Sequence, residues 1–474
     1  MLPQAVVLGA RAAKEKLARI IARLYLRTGR RLHTLHHARL REPQGALVRF
    51  APPGVDGGCG CARRAGRIRR SMVRDNDRGA VKRVARTRTL NAKAFVLKAG
   101  GEIMGNRVAV VAGGRTPFVK AGKAFKRLGP LKLAARAVTG LLEKHEVDAA
   151  SIDAIAFGAV VPEPGRPNLA REIVLEAGLP RAIEAQTMSS YCITGLRTIT
   201  AITEGIASGR IEAGIAGGVD SLSHADPATF REPSTGLSMG EHMEITCKQW
   251  GVSRERQDEV ALASHRNAVA ARERLGEQIF PLEGVEHDTG PRTGTSMEAL
   301  ANLKPAFDPR GTVTAGNASP VTDGASAVLL MSEDRAASEG REPLAFVRAM
   351  RYGAIDPGEG LLMAPGIVVP RLLERSGLRL AQIDLIEIHE AFAAQVLTNV
   401  MAWEQGWQAA PTGAVDWSRV NVSGGSIAVG HPWSATGGRI VTALACEMAR
   451  RNAQFGLASI CAAGAMAGAL ILER

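Results

Sequence analysis

The sequence predicts an α/β protein made of two similar halves, each a sheet covered by helices. Three observations carry this. From Arg107 onward, short aliphatic runs alternate with segments of helical periodicity, the rhythm of strands covered by helices. The 474-residue chain is 46% hydrophobic but only 4% aromatic, with 52 glycines, which suits closely packed layers of small and aliphatic side chains. Four reactive side chains, Cys192, His389, His431 and Cys461, fall at predicted strand ends, where sites assemble in open α/β sheets. The alternation implies a mostly parallel sheet, and the length allows about three domain-sized units.

The first half begins near Met104. Arg107 to Ala112 reads as a buried strand and Gly113 to Phe118 as a loop. Leu131 to His145 is a predicted helix, Ala154 to Val161 a strand, and 168–178 a helix ending at Gly178. Next come Cys192, a helix over Leu196 to Ala207, and a small-residue strand, Ala213 to Val219. From Ser221 to about Thr314 the rhythm breaks, and the one clear regular part is a helix starting near Ser253. This reads as an inserted loop domain over 221–314. Alternation resumes at Ala315 to Leu330. The N-terminal half is therefore 104–220 with 315–342, and the C-terminal half 343–474. In the latter, strands at Pro343 to Met350 and Ile383 to Ile388 alternate with helices at Ala364 to Ser376 and Phe392 to Trp407. The helix Ala435 to Arg451 and strands at Leu457 to Ile460 and Ala467 to Leu472 complete it.

Residues 1–103 have a different character. The net charge of +14 resides there: residues 1–100 carry 24 Lys+Arg against 5 Asp+Glu, whereas 101–474 carry 36 against 41. Segment 11–35 has an amphipathic helical pattern, and Gly/Pro/Arg-rich sequence follows. Such a head reads as a disordered basic arm or an extension upstream of the true start. A transit peptide is the next reading. A nucleic-acid arm lacks interleaved aromatics. Cys59 and Cys61 lack metal-site spacing. Six scattered cysteines do not make a disulfide framework, and no apolar run reaches membrane-spanning length.

Cys192 precedes a helix, whose positive end favours a thiolate. A nucleophilic thiolate also needs a base, a proton donor and an oxyanion site. His389, His431 and Cys461 are the candidates. Each residue alone is more often structural, but two cysteines and two histidines at strand ends point to chemistry.

These residues carry a family resemblance. The run Cys192 to Ser221, Gly316-Asn-Ala-Ser319 with Asp323-Gly-Ala, His389-Glu-Ala-Phe-Ala393, Gly430-His-Pro432 with Ala435-Thr-Gly437, and Cys461 resemble the thiolases. The match runs from near Arg107 to the C-terminus. The His-Glu-Ala-Phe form is similar to the degradative thiolases of fatty-acid oxidation complexes. The resemblance implies the thiolase fold, an αβαβα layered arrangement of two similar halves with an inserted loop domain. It implies thiolytic cleavage of 3-ketoacyl-CoA by CoA, by ping-pong kinetics through an acyl-Cys192. His431 would be the base for Cys192 and Cys461 the acid for the departing acetyl-CoA carbanion. One oxyanion site would use His431 with a water held by His389; the other, backbone N–H groups of Cys192 and Ala463. Ser319 and Phe392 match pantetheine-contacting positions, and Met239 a motif beside the acyl pocket. Coenzyme A enters as substrate, with no cofactor and no metal. The resemblance further implies a homodimer or higher oligomer, a hydratase/dehydrogenase partner subunit and a cytoplasmic location, or a mitochondrial one if the head is a transit peptide.

Departures from the family pattern fall at Ser189, Ile193-Thr194, Trp433-Ser434 and Ala462 to Met466. Bulk at Ile193, Thr194 or Trp433 would narrow the acyl pocket. Cys247 and Cys446 read as core residues, His242 and His265 as structural or, for His242, channel-lining, and Asp323 as a hydrogen-bonding residue. The rival readings are an acetoacetyl-CoA thiolase working in the condensing direction and a non-catalytic acyl-CoA or lipid binding protein. A ketoacyl synthase, with one Cys and two His, is disfavoured by Cys461.

Overall fold

A computed structural model describes residues 105–163, 165–226 and 230–474. The predicted amphipathic helix at 11–35 and the Cys59/Cys61 pair lie outside the described residues.

The first half runs β1 (Val108–Arg115), a two-residue β2 (Val119–Lys120), α1 (Pro130–Lys144), β3 (Ala154–Gly158), α2 (Leu169–Glu176), β4 (Glu184–Met188), α3 (Thr194–Ala207) and β5 (Ala213–Ser221). The insertion follows, with α4 (Met239–Trp250), α5 (Arg254–Ala270), α6 (Arg272–Gly276) and α7 (Met297–Ala301). The chain returns through β6 (Thr322–Ser332) and α8 (Glu333–Ser338). The second half comprises β7 (Ala345–Ala354), α9 (Pro365–Ser376), β8 (Leu385–Ile388), α10 (Ala393–Gln405), α11 (Ser426–Val429), α12 (Ala435–Arg451), β9 (Phe455–Ala462) and β10 (Met466–Glu473).

The strand order is β4-β3-β5-β6-β1-β7-β10-β9-β8. Val420 bridges Ile386 of β8 in parallel, at the edge where β4 sits in the first half. The halves then share one order, with the first strand of each at the centre. They meet where β1 pairs β7 over Ala109↔Phe346 and Val110↔Ala345. A duplicated α/β unit is thus visible in topology although no sequence repeat is legible.

The sheet is mixed, not mostly parallel. Only β3–β4, β3–β5 and β8–β9 are parallel. The last strand of each half returns antiparallel: β6 against β5 after the insertion, and β10 against β9 after a three-residue connection. Right-handed helical crossovers give parallel neighbours, but a strand that enters without a crossover helix pairs antiparallel. Strand β1 also extends further than the apolar run suggests. It continues through Gly113, Gly114 and Arg115, with an irregularity in register between Val110 and Ala112.

Side-chain alternation assigns the layers. In β6, Ala325, Ala327, Leu329 and Met331 face α1 and α2, whose Leu133, Val138, Leu141, Ile173 and Val174 complete one core. Val328 and Leu330 face the opposite way, onto Leu196, Ile199, Ile202 and Ile206 of α3 and Ile440, Val441 and Leu444 of α12. Ala458, Ile460, Leu470 and Leu472 of the second half reach the same two helices. Ala467, Ala469 and Ile471 turn outward to Val368, Val369 and Leu372 of α9 and Val396 and Trp403 of α10. Helices α3 and α12 are therefore the shared middle layer of an αβαβα stack.

The insertion is more helical than predicted. Helix α4 was not foreseen, yet Ser238 caps it and Glu241 closes a capping box, a Ser-x-x-Glu signal present in the sequence. Its weakly patterned apolar face hid it. Cys247 is buried in α4, as expected; Cys446 lies in α12 but is partly exposed rather than core.

The N-terminal ends of the two central helices touch without intervening side chains. A Cβ on Gly195 would lie 2.4 Å from the Ser434 carbonyl oxygen, and one on Gly437 would lie 2.4 Å from the Leu196 nitrogen. Backbone cannot retreat from such overlap without moving a helix. Gly195→Ala or Gly437→Ala is expected to lower stability by about 1–3 kcal/mol, whereas Gly294→Ala, where a Cβ would have no atom within 4 Å, should be near neutral. Urea unfolding of the three variants measures this, and equal effects would contradict the close approach.

Candidate active site

The contact of α3 with α12 sets the two loops before them side by side. Cys192 lies between β4 and α3, and His431 between α11 and α12. The turn carrying Cys192 is tightly held. Tyr191 adopts a left-handed backbone conformation, φ 50°, which is strained for a bulky residue. The Thr194 hydroxyl donates to the Tyr191 carbonyl at 2.6 Å and accepts from the Ser190 N–H at 2.7 Å. Thr194 thus fastens the turn, and Ile193 is buried in the central core. Both were expected to narrow an acyl pocket; Thr194 bonds within the turn that carries Cys192 and Ile193 packs beneath it. Trp433 packs edge-on against Phe230, with ring centroids 4.5 Å apart.

The His431 loop is fixed by Asp220, buried at the end of β5. Its carboxylate accepts from the Val160 and Val161 N–H groups at 3.0 Å, the Ser434 N–H at 2.9 Å and the Ser434 hydroxyl at 2.6 Å. Ser434, a departure from the family pattern, thereby gains a role. Burial still raises Asp220 to about 6, against the hydrogen bonds that lower it. On the other side, Glu390 accepts from Ser264 of α5, Asn421 and the Ile427 N–H. It ties the end of β8, the loop before α11 and the insertion together.

His431 Nε2 lies 3.3 Å from Cys192 Sγ, and its Nδ1 lies 2.7 Å from Thr436 Oγ1. The ring of His389 stands 4.1 Å from that of His431, centroid to centroid. Ligand-capable atoms of Cys192, His389 and His431 lie within 4.8 Å of one another, the one such group of three among the described residues. As a metal set it is compromised, since the His431 Nε2 lone pair is already engaged by the thiol. Cys461 sits in β9, one residue before the strand ends. It is packed among Met243, Phe392 and Ala394, with Met239 and Ala318 alongside. Its thiol is held well above the usual range, first by burial and then by Cys192 nearby.

Burial overturns the expected thiolate. It raises Cys192 to about 12, against backbone hydrogen bonds from Ala463 and from Cys192 itself. A helix end contributes roughly 0.3–1 kcal/mol, whereas desolvating a charge costs several kcal/mol. Burial likewise lowers His431 to about 3 and His389 well below its ordinary value, helped by charges including Arg439. The resting pair is a neutral thiol donating to a neutral imidazole. His431 must then carry its proton on Nδ1 and donate it to Thr436.

The structure brings together all four reactive side chains named from the sequence. The Ala463 backbone lies near enough to favour the Cys192 thiolate, and Ala463 avoids the left-handed region, which falls to Gly464 and Ala465. Phe392 lies in the Cys461 cluster and meets Phe307 edge-on at 6.0 Å. The Ser319 N–H donates to the Ala391 carbonyl at 3.0 Å, placing Ser319 against the His389-Glu-Ala-Phe loop. His242 meets the Thr235 hydroxyl at 2.7 Å, His265 accepts from the Arg292 N–H, and buried Asp323 accepts from Ser223; these are structural partners. Sequence reading gave no role to Ser426, Arg439 or Asp220, quoted Thr436 only within a motif, and weighed Thr194 only for the acyl pocket. Thr436 and Arg439 lie on the first turns of the helix that His431 precedes, the only hint that the sequence held.

Model matches to the thiolase N-terminal domain cover residues 108–244 and 227–334, and the thiolase C-terminal domain matches 341–474. The chain is 38% identical over 423 residues to the 3-ketoacyl-CoA thiolases of Shewanella amazonensis and an Escherichia coli strain, spanning 78% of this chain and 97% of each relative. Among solved structures, it is similar to Bacillus anthracis acetyl-CoA acetyltransferase at a TM-score of 0.72 and 31% identity, covering 78% of this chain and 99% of that one. Human mitochondrial 3-ketoacyl-CoA thiolase follows at 0.71 and 30%, covering 78% and 98%.

A protonated resting thiol has a kinetic signature. With Cys192 near 12 and His431 near 3, the thiolate fraction rises about tenfold per pH unit from pH 6 to 9. Alkylation of Cys192 by iodoacetamide, followed by mass spectrometry, should accelerate across that range without levelling. A plateau below pH 8 would indicate a preformed thiolate–imidazolium pair.

Proposed function

The chain belongs to the thiolase family, and from that premise we propose that it cleaves 3-ketoacyl-CoA with CoA, using Cys192, His431, Cys461 and His389. The observation that carries the residue assignment is the 3.3 Å contact of His431 Nε2 with Cys192 Sγ, with Cys461 near enough for Cys192 to raise its thiol further.

His431 takes the Cys192 proton as the sulfur attacks the 3-keto carbon. The oxygen that becomes negative is stabilised by donors already in place. Scission between C2 and C3 leaves an acyl thioester on Cys192 and the enolate of acetyl-CoA. Cys461, whose thiol burial keeps protonated, gives its proton to that carbon. After acetyl-CoA leaves, the Cys461 thiolate takes the proton of an incoming CoA thiol, whose sulfur attacks the thioester and frees Cys192, which takes its proton back from His431. Each protein group ends as it began. Backbone N–H groups of Cys192 and Ala463, both of which favour the Cys192 thiolate, hold the thioester oxygen. His431 and His389 hold the other. Met239 and Phe392 pack in the cluster that holds Cys461, Ser319 bonds to the Ala391 carbonyl beside it, and the three accommodate the acyl–pantetheine arm.

Coenzyme A serves as substrate. Association as a dimer or larger oligomer, a hydratase/dehydrogenase partner subunit and a cytoplasmic location complete the reading. Among the described residues, no helix is long and apolar enough to cross a membrane.

Steady-state thiolysis of 3-ketoacyl-CoAs from C4 to C16 tests the degradative assignment. Activity extending beyond C4 is expected, and activity confined to C4 would favour the acetoacetyl-CoA reading, the condensing alternative. Cys461→Ala should lower thiolysis by about 10²–10⁴-fold, the usual worth of a general acid–base group, while Cys192 remains open to alkylation. Wild-type thiolysis in that variant would refute the role of Cys461.

A further inference from the structure

We propose that Ser426 and Arg439 are positioning residues that fix His389 as its Nε2–H tautomer, opposite to that of His431, so that one ring is a base and the other a permanent donor. The inference rests on the assignment of His389 to the reaction but is argued from its surroundings alone.

His389 Nδ1 lies 2.8 Å from Ser426 Oγ. The same oxygen accepts from Arg439 Nη2 at 3.0 Å. A guanidinium has donors only, so this contact has one sense. Ser426 Oγ has no further hydrogen-bond partner among the described residues, and Ser426 is fully buried. Its single proton therefore has one acceptor within reach, His389 Nδ1. With the proton on Nδ1 instead, the hydroxyl would accept twice and its own hydrogen would be buried unpaired, which interiors avoid.

A neutral imidazole that accepts at Nδ1 carries its hydrogen at Nε2. The ring is held neutral by burial and by neighbouring positive charge from Arg439. His389 Nε2 is buried and has no hydrogen-bond partner, and the ring faces His431. The donor thus points into the reaction space. Arg439 is itself anchored by Glu387, 3.6 Å away and equally buried.

His431 is arranged in the opposite sense, accepting from the Cys192 thiol at Nε2 and donating to Thr436 at Nδ1. Were His389 to expose an Nε2 lone pair instead, two bases would compete for one thiol proton and no imidazole N–H would face the substrate oxygen. Two hydroxyl groups, Ser426 with Arg439 behind it and Thr436, separate the roles of two chemically identical side chains.

Solid-state ¹⁵N NMR of the full chain labelled with ¹⁵N-histidine reads the tautomer without substrate. Resonances are assigned to His389 by difference against His389→Asn. Expected are a pyrrole-type Nε2 and a pyridine-type Nδ1; the reverse pattern would overturn the proposal. In Ser426→Ala, the pyrrole-type Nε2 signal should diminish. Thiolysis kcat should fall at least tenfold while Cys192 alkylation stays within about twofold of wild type. Ser426→Thr should restore both tautomer and kcat. An unchanged tautomer in Ser426→Ala would overturn the role of Ser426. Should wild-type thiolysis itself prove absent, the spectra would still decide the tautomer, so failure of the proposed reaction and failure of this inference are told apart.

Discussion

The close approach of α3 and α12 at their N-terminal ends is the constraint on which the site depends. Gly195 and Gly437 remove the side chains that would hold these helices apart. The loops before the helices then bring Cys192 and His431 to hydrogen-bonding distance, although 239 residues separate them in sequence. Because each helix also packs on both halves of the sheet, the Cys192–His431 pair inherits the rigidity of the whole core. Asp220 reinforces the arrangement from β5, and Thr194 fastens the strained turn at Tyr191.

Burial then decides the charge states. Desolvation favours the thiol at Cys461 and at the partly exposed Cys192, and the neutral ring at His389 and His431. A preformed ion pair would require charge separation in the resting site. A neutral pair defers that charge to the moment the sulfur attacks, when aligned donors can stabilise the oxygen. Arg439 supplies positive charge that disfavours imidazolium at both rings, and burial raises Glu387, 3.6 Å from it, to about 8.

The insertion does more than cover the sheet. Ser264 of α5 donates to Glu390, and the buried Arg115–Asp288 pair ties β1 to the insertion. Met239 and Met243 of α4 reach the cluster that holds Cys461. The residues that depart from the family pattern are absorbed without loss of a reacting atom. Ser434 bonds to Asp220, Ile193 packs in the core, and Gly464 and Ala465, not Ala463, take the left-handed conformations.

Composition, periodicity and motif sufficed to predict two α/β halves, most element positions and the four reactive side chains. Those features are local, since strand and helix periods and the residue types that chemistry needs are written in consecutive residues. Helix α12 was read to the residue, and α3 to within its first turn. Strand direction was not legible, because antiparallel pairing of β6 and β10 depends on how the chain returns, and α4 was missed although its capping box was present. Charge state was beyond the sequence for a different reason. The helix that follows Cys192 argues for a thiolate, and only the packing of the two halves around the site shows that desolvation prevails. Ser426, Thr436, Arg439 and Asp220 gain meaning solely from neighbours distant in the chain, since a hydroxyl or carboxylate orients a reacting group only when the fold sets the two within 3 Å.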